Sequence, residues 1–166
     1  EENWVTTQPG IIIDQLNNSL KHLGVHFAPD PSTSNRATVG GAIGNNSCGS
    51  HSILWGKTVD NVISLKTILS DGSDVNFGIT DIKSISNADK VNNLENAIYS
   101  WIKEFNHSKS NYIIENYPKI SRRVSGYNLD EITDKNHLSL AGLLVGSEGT
   151  LVTVTEAKVK VVQTPK

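Results

Sequence analysis

The chain has 166 residues, which is the length of one domain with room for a substantial hydrophobic core. Its formal net charge is −2 and its lysines and arginines are spread along the chain, which argues against a nucleic-acid interface. Its apolar runs are too short to span a bilayer, and its single cysteine, Cys48, excludes an internal disulfide and any cysteine-based metal or iron–sulfur site within these residues.

No pattern for a metal site is present either, because the five histidines are irregularly spaced and form no HExxH motif. The single cysteine favours a reducing compartment. We therefore expect a cytoplasmic location, with at most peripheral attachment to a membrane. The chain begins without methionine and stops just after a strand-like run, so we expect it to be a piece of a longer protein.

The first thirty residues predict a strand, a helix and a second strand. Residues 4–7 alternate between apolar and polar, and apolar residues at positions 12, 16, 20 and 23 follow at helical spacing, with Gly24 placed to end the helix. Residues 25–28 predict another short strand. The backbone is then stiffened at Pro29, Asp30 and Pro31. This segment is either a rigid turn or a surface that holds a flat ring system.

Residues 37–56 read ATVGGAIGNNSCGSHSILWG and form the most unusual stretch of the chain. Its glycines let the backbone approach a ligand closely, and no Lys or Arg lies between Arg36 and Lys57. A phosphate bound here would be held by backbone N–H groups and short polar side chains. The stretch has neither a Walker lysine nor the GxGxxG of a Rossmann turn, so from composition alone a loop without a ligand is an equal alternative.

The second half predicts a hairpin over 61–78, turning at Asp71-Gly72, then a polar loop over 79–91. An amphipathic helix follows whose apolar stripe, ending at Phe105, predicts core packing, and it extends until Pro118. An apolar run over 138–145 and a long strand over 151–162 complete the chain. Because hairpins and flanking helices replace alternating βαβ units, we predict an α+β fold with an antiparallel sheet flanked by helices.

Four stretches in a fixed order carry a resemblance to a known family. ATVGGAIGNNSCGSHSILWGKTVDNV, ILSDGSDV, SRRVSGYNLDEI and LLVGSEGTLVTVTEAKVKV resemble the FAD-linked oxidases of the vanillyl-alcohol oxidase/PCMH flavoprotein superfamily. Within it the chain is most similar to the glycolate oxidase/D-lactate dehydrogenase group. Its motif sequences look most like those of the large bacterial enzymes that join a flavin domain to an iron–sulfur domain.

The resemblance implies that residues 1–166 are a partial FAD-binding domain of the PCMH type. They match its second part, whereas the part with the arginine-glycine pyrophosphate loop and the C-terminal substrate cap are not matched. The implied partners are a small 2-hydroxy acid, these two missing parts of the same parent chain and an iron–sulfur domain. The implied reaction is oxidation of a D-2-hydroxy acid (lactate, glycolate or 2-hydroxyglutarate) to the 2-oxo acid, with hydride transfer to flavin N5.

The resemblance also implies which residues bind FAD. Residues expected near the flavin ring are Pro29, Asp30, Pro31, Thr38 and Gly41; near the ribityl chain and pyrophosphate, Gly44, Asn45, Asn46, Ser47 and Gly49; near the adenosine half, Gly56, Glu148, Gly149, Val152 and Thr153. Residues expected near the active-site face are Arg122, Tyr127 and Asn128. Arg122 replaces the usual lysine and GYNL replaces the commoner GYDL, so the exact substrate stays open, and we expect the general base to lie outside this chain.

Each assignment has a structural alternative. Glu148 could favour a helix N-terminus, Tyr127 could be a half-buried tyrosine, and Arg122 could be solvated. Cys48 is interpreted as a structural thiol rather than a covalent flavin attachment, and His51 as a loop histidine rather than a base. The competing function is a non-catalytic interaction or scaffold domain that keeps the fold without the cofactor.

Overall fold

The structure is a computed structural model that describes residues 3–85 and 93–165. Within these two ranges, seven strands and six helices follow one another, with 3-10 turns at Lys21–Leu23 and Leu129–Ile132. The strands are β1 (Trp4–Thr7), β2 (Val25–Phe27), β3 (Val62–Ile68), β4 (Asp74–Phe77), β5 (Ile79–Asp81), β6 (His137–Ser139) and β7 (Thr153–Gln163). The helices are α1 (Ile13–Leu20), α2 (Val39–Asn45), α3 (Ser52–Trp55), α4 (Thr58–Asn61), α5 (Leu94–Asn116) and α6 (Leu140–Leu144).

The long strand β7 is the centre of a five-stranded antiparallel sheet. It pairs with β1 on one side and with β3 on the other, and β2 pairs with its last residues, beyond the start of β3. Strand β4 completes the sheet at β3, with Leu65 opposite Phe77. The predicted hairpin, the predicted C-terminal strand and the antiparallel α+β class are therefore confirmed.

A second, two-stranded sheet was not predicted. Strands β5 and β6 pair with Ile79 opposite Ser139, although the sequence predicted a loop over 79–91. That prediction is wrong for β5, whereas residues 86–92 lie outside the described part of the chain. Strand β5 is three residues long and two of its side chains are exposed, so it carries no periodic signal.

The core lies between the main sheet and the helices, around fully buried side chains such as Ile13, Leu65 and Val159. Helix α5 ends before Pro118 as predicted and buries Ile102. Its Trp101 was expected in the core, but 56% of its surface is exposed. The prediction is wrong because Trp101 stacks on Phe105, with ring centroids 4.9 Å apart, at the rim of an apolar cleft of about 350 Å³.

Within the described residues, every helix is too short or too polar to be a candidate for crossing a membrane.

Candidate functional site

The glycine-rich segment folds into a short helix rather than an open loop. The Thr38 hydroxyl caps α2 by accepting a hydrogen bond from the Gly41 N–H at 3.0 Å. Asn46 ends the helix in the left-handed conformation, with φ of 48°. Gly40 has a packing role, since a Cβ there would lie 2.7 Å from the Cβ of Pro9.

The C-terminal end of α2 docks on the GSEGT turn. The Gly146 and Glu148 N–H groups donate to the carbonyls of Ile43 and Gly44 at 2.8 and 3.1 Å, and so satisfy carbonyl groups at the end of the helix. A Cβ on Gly44 would lie 3.8 Å from the Glu148 Cα. Two motifs about one hundred residues apart in the sequence therefore meet directly.

Two buried amides join α2 to the GYNL segment. Asn46 is 0% exposed and Asn128 is 2% exposed. The Asn46 Oδ1 accepts from the Val59 N–H at 3.0 Å, and its Nδ2 donates to the Asn128 Oδ1 at 3.5 Å. The Asn128 Nδ2 donates to the carbonyls of Gly142 and Val145 at 3.2 and 2.8 Å. These side chains bind other parts of the chain and position the surface.

Asn128→Asp is expected to lower the free energy of unfolding by about 2–4 kcal/mol. A carboxylate keeps the acceptor for Asn46 but cannot donate to the two carbonyls, which would face a buried negative charge instead. Chemical denaturation of the 166-residue chain measures the loss. Asn111→Asp, at an exposed position of α5, is the matched control and should change stability by less than about 0.5 kcal/mol. Equal effects of the two variants would contradict this role.

The sequence analysis gave no role to Arg123, which follows Arg122 directly. Its NH2 donates to both carboxylate oxygens of Asp130 at 2.7 Å, and its guanidinium lies 4.1 Å from the ring centroid of Tyr117. The Tyr117 hydroxyl donates to the Tyr127 carbonyl and accepts from the Leu129 N–H. Through Asp130 and Tyr117, Arg123 thus helps to fix the backbone of the GYNL segment. Hydrophobic periodicity could not have revealed this role, because the partners Asp130 and Tyr117 lie on opposite sides of Arg123 in the sequence and interact through polar groups.

A small polar cavity lies where GYNL and GSEGT meet. It has a volume of about 270 Å³, and its lining combines hydroxyl groups with bare backbone. The Tyr127 and Thr150 hydroxyls bond to each other at 2.8 Å. The lining residues are Gly126, Tyr127, Gly146, Ser147, Glu148 and Thr150. Gly149 adjoins it with φ of 73° and open space where a Cβ would stand.

Asp30 is the centre of a second cluster. Its Oδ2 accepts hydrogen bonds from the Ser50 hydroxyl at 2.9 Å and from the His51 Nδ1 at 2.5 Å, and its Oδ1 accepts from the His51 N–H at 3.3 Å. Partial burial would raise the pKa of Asp30, but these hydrogen bonds outweigh it and lower the pKa below its usual value. The carboxyl is therefore ionised at neutral pH.

Gly49 and Arg122 complete this cluster. A Cβ on Gly49 would overlap the Oδ1, the carbonyl carbon and the carbonyl oxygen of Asp30, so only glycine fits. The Arg122 NH2 donates to the Gly49 carbonyl at 2.8 Å, which brings the predicted active-site arginine to the predicted ribityl and pyrophosphate segment, beside Asp30. Pro29 is buried and Pro31 half-buried beside them.

The remaining predicted residues are spread around these two clusters. Asn45 and Thr153 are exposed, and Val152 lines the apolar cleft. The Ser47 carbonyl accepts from both the N–H and the hydroxyl of Thr58. Gly56 has φ of 77°, and a Cβ there would overlap the Asp60 side chain, so the conformation of the chain itself requires a glycine at this position. The structure thus brings part of the predicted set together at the α2–GSEGT contact and around Asp30, whereas the contacts of Gly56 are with Ser52 and Asp60.

Comparisons with known proteins identify the kind of domain. A model of the family described as FAD binding domain matches residues 1–78. Over its whole length the chain is 37% identical to D-2-hydroxyglutarate dehydrogenase of Escherichia coli (strain K12), covering 16% of that protein. Residues 1–78 belong to this FAD-binding family, in agreement with the resemblance of the motifs to the vanillyl-alcohol oxidase/PCMH flavoprotein superfamily. It is also 30% identical to the glycolate oxidase subunit GlcD of Bacillus subtilis (strain 168), over 100% of this chain and 25% of that one.

The fold of this FAD-binding domain also occurs in a solved structure. Alkyldihydroxyacetonephosphate synthase matches with a TM-score of 0.57 at 21% identity, over 99% of this chain and 20% of that one. This likeness supports the fold alone. The chain spans about one sixth of the length of the D-2-hydroxyglutarate dehydrogenases that it matches.

The donor set fits one face of an FAD site. Gly41, Asn45, Glu148 and Gly149 are exposed, and the contact of Gly44 with Glu148 places the two motifs side by side. The cavity is lined by the Tyr127, Ser147 and Thr150 hydroxyls and by Glu148, which suits a neutral ligand group better than a free anion. No cation lies between Arg36 and Lys57, so this segment offers a pyrophosphate no charged side chain.

Proposed function

We propose that the chain is the FAD-binding portion of a flavin-dependent dehydrogenase that oxidises a D-2-hydroxy acid to the 2-oxo acid. The observation that carries the proposal is the alignment of the whole chain with the D-2-hydroxyglutarate dehydrogenase of Escherichia coli at 37% identity. Relatives named glycolate oxidase subunit and D-lactate dehydrogenase support the wider substrate class of small 2-hydroxy acids. Bound FAD would supply the ring that accepts a hydride.

The residues divide into those that would touch the cofactor and those that hold them in place. Exposed positions such as Gly41, Asn45 and Gly149 can approach FAD directly. Buried Asn46 and Asn128 act by fixing the docking of α2 on the GSEGT turn. The Arg122 guanidinium, next to Asp30 through the Gly49 carbonyl, can orient the substrate carboxylate.

We further propose that residues 1–166 are one part of a two-part FAD-binding domain. An arginine-glycine pyrophosphate loop, a substrate cap and an iron–sulfur domain would belong to the rest of the parent chain, and the parent would act in the cytoplasm or at a membrane surface. The low coverage of the matched relatives supports a larger protein. Cell fractionation and the parent reading frame test these points.

The activity is tested with the full-length parent protein. We expect anaerobic D-2-hydroxyglutarate, D-lactate or glycolate to bleach the oxidised flavin band and yield the matching 2-oxo acid, whereas the L-enantiomers of the chiral acids do not. Single-turnover bleaching needs no knowledge of the electron acceptor. A flavin-loaded parent that none of these acids reduces would contradict the proposed function.

A further inference from the structure

Three exposed apolar side chains lie around the place where the chain leaves the main sheet after β7. Ile53 and Leu54 of α3 have 91% and 75% of their surfaces exposed, and Leu23, shortly before β2, has 61% exposed. We propose that these three residues, the exit patch, bind the segment of the parent chain that follows residue 166. This inference rests on the proposed longer parent and not on the identity of its substrate.

Thr164, the first residue after β7, connects the end of the sheet to both sides of the exit patch. Its N–H donates to the Gly24 carbonyl at 2.9 Å, and Gly24 directly follows Leu23. Its hydroxyl lies 3.3 Å from the His26 Nδ1. The His26 ring in turn packs edge-on against the ring of Trp55, the last residue of α3, with centroids 4.8 Å apart. A chain that continues past residue 166 therefore starts beside the patch.

The helix α3 holds its side of the exit patch in a fixed position. The Asn61 Nδ2 donates to the Trp55 carbonyl at 2.7 Å, and the Gly56 N–H donates to the Ser52 carbonyl at 2.9 Å. The two exposed apolar side chains of α3 thus belong to an ordered helix rather than to a loose loop. An apolar surface that is already fixed loses little conformational entropy when another segment covers it.

The size of the exit patch favours a segment of the same polypeptide over a separate protein. A stable interface between two separate chains buries roughly 800 Å² on each partner, which three side chains do not supply. A segment tethered at Thr164 docks at an effective concentration of about millimolar, so a smaller contact suffices. This chain spans about one sixth of the length of the matched relatives, so a parent of their length has such a segment to offer.

The apolar cleft near Trp101 is a poorer place for the same segment. It lies beside Leu151 and Val152, just before β7 begins, whereas Thr164 follows the end of that strand. Strand β7 has 11 residues and, at roughly 3.3 Å per residue, spans about 35 Å. A segment that leaves at Thr164 would have to run back along the whole sheet to reach the cleft, while the exit patch is adjacent.

A segment on the exit patch would also lie next to the Asp30 cluster. The Trp55 ring that contacts His26 also packs against the His51 ring, with centroids 5.1 Å apart, and the His51 N–H donates to Asp30. The docked segment would therefore limit the access of water to this side of the domain. Apolar side chains are the complement that the patch itself requires.

Site-specific photo-crosslinking in the full-length, flavin-loaded parent tests the proposal. Leu54→p-benzoylphenylalanine places a photoreactive group on the exit patch, and mass spectrometry identifies the peptide that it couples to after irradiation. We expect crosslinks within one molecule to peptides that follow residue 166. Ile79→p-benzoylphenylalanine, at a position of β5 with 70% of its surface exposed, is the control and should give none of these crosslinks. Crosslinks only to other peptides or between two molecules, or no crosslink at all, would overturn the proposal.

A pair of charge variants of the parent gives a second, independent readout. Ile53→Asp combined with Leu54→Asp should detach the segment, because docking would bury two carboxylates. We expect a protease to cut the junction after residue 166 at least about tenfold faster, since cleavage follows the population of the detached form. Ile53→Val combined with Leu54→Val keeps the surface apolar and should be cut like wild type. Because both positions are exposed, circular dichroism should be the same for all three proteins.

The outcomes separate the docking from the proposed function. Equal cleavage rates for the aspartate and valine variants would overturn the docking, even if the wild-type parent binds FAD and oxidises a 2-hydroxy acid. Faster cleavage of the aspartate variant, in a flavin-loaded parent that no 2-hydroxy acid reduces, would support the docking and contradict the proposed function.

Discussion

Gly49→Ala is expected to lower the free energy of unfolding of the chain by about 3–5 kcal/mol. The new methyl group would overlap the carboxylate and the backbone carbonyl of Asp30, and a backbone cannot rotate away as a long side chain can. Relief requires the segment around Gly49 to move off Asp30, which also breaks the hydrogen bonds from Ser50 and His51. Urea denaturation followed by circular dichroism measures the change.

Gly10→Ala is the matched control for this variant. Gly10 is exposed, and nothing lies within 4 Å of the place where its Cβ would stand. Its substitution should change stability by less than about 1 kcal/mol. If Gly49→Ala were as stable as Gly10→Ala, the close packing of Gly49 against Asp30 would be wrong.

The role of Gly49 shows how a correct motif can have an unforeseen reason. The sequence predicts that glycines in residues 37–56 let the backbone approach a ligand. For Gly49 the approach is to the chain itself, because Asp30 fills the space that a side chain would need. Gly41 differs, since its Cβ would meet only the Thr38 Oγ1, at 3.2 Å. Composition gives the two glycines the same interpretation, and the three-dimensional contacts separate them.

Elements stabilised by neighbours in sequence could be predicted. The hairpin of β3 and β4 turns at Asp71, whose side chain accepts from the Ser73 N–H at 2.9 Å, and Gly72 follows with φ of 86°. Gly24 ends the first helical region with φ of 69°, as its position after the apolar stripe predicts. In each case the signal and the structure lie within a few residues.

Features that depend on distant contacts could not be predicted. Strand β5 exists only because β6 pairs with it, and Asn46 and Asn128 are buried polar residues that meet only in the folded chain. The resemblance places Asn46 and Asn128 near the cofactor, and in the structure both side chains are buried and bind other parts of the chain. The Asp30–His51 pair likewise joins residues 21 positions apart. Hydrophobic periodicity contains no information on such polar partners.

The buried pair of Asn46 and Asn128 also connects the site to the stability of the fold. Asn46 binds the start of α4 and Asn128, and Asn128 binds α6 and the residue before the GSEGT turn. A buried polar network is costly when one member is lost, so its members are fixed together. The α2–GSEGT surface is therefore held rigid before any ligand binds, which is the condition under which fixed donors give affinity.

The isolated 166-residue chain is expected to fold, to purify without colour and to bind FAD several powers of ten more weakly than the full-length parent. The proposed two-part domain places the pyrophosphate loop outside this chain. Within residues 37–56 no lysine or arginine is available to bind the pyrophosphate. Two or three missing charge-assisted hydrogen bonds, each worth about 1.5–3 kcal/mol, account for a loss of this size.

Quenching of FAD fluorescence by the isolated chain measures this affinity directly, and circular dichroism on the same sample verifies that the chain is folded. Adding the N-terminal part of the parent, in cis or as a separate polypeptide, should restore tight binding and the yellow colour because it supplies the proposed pyrophosphate loop. Asn128→Asp in the reassembled protein separates the two contributions: it should weaken the docking of α2 without removing the pyrophosphate loop. A submicromolar dissociation constant for the wild-type chain alone would show that the α2–GSEGT surface suffices, and that the N-terminal part of the parent contributes little to the affinity.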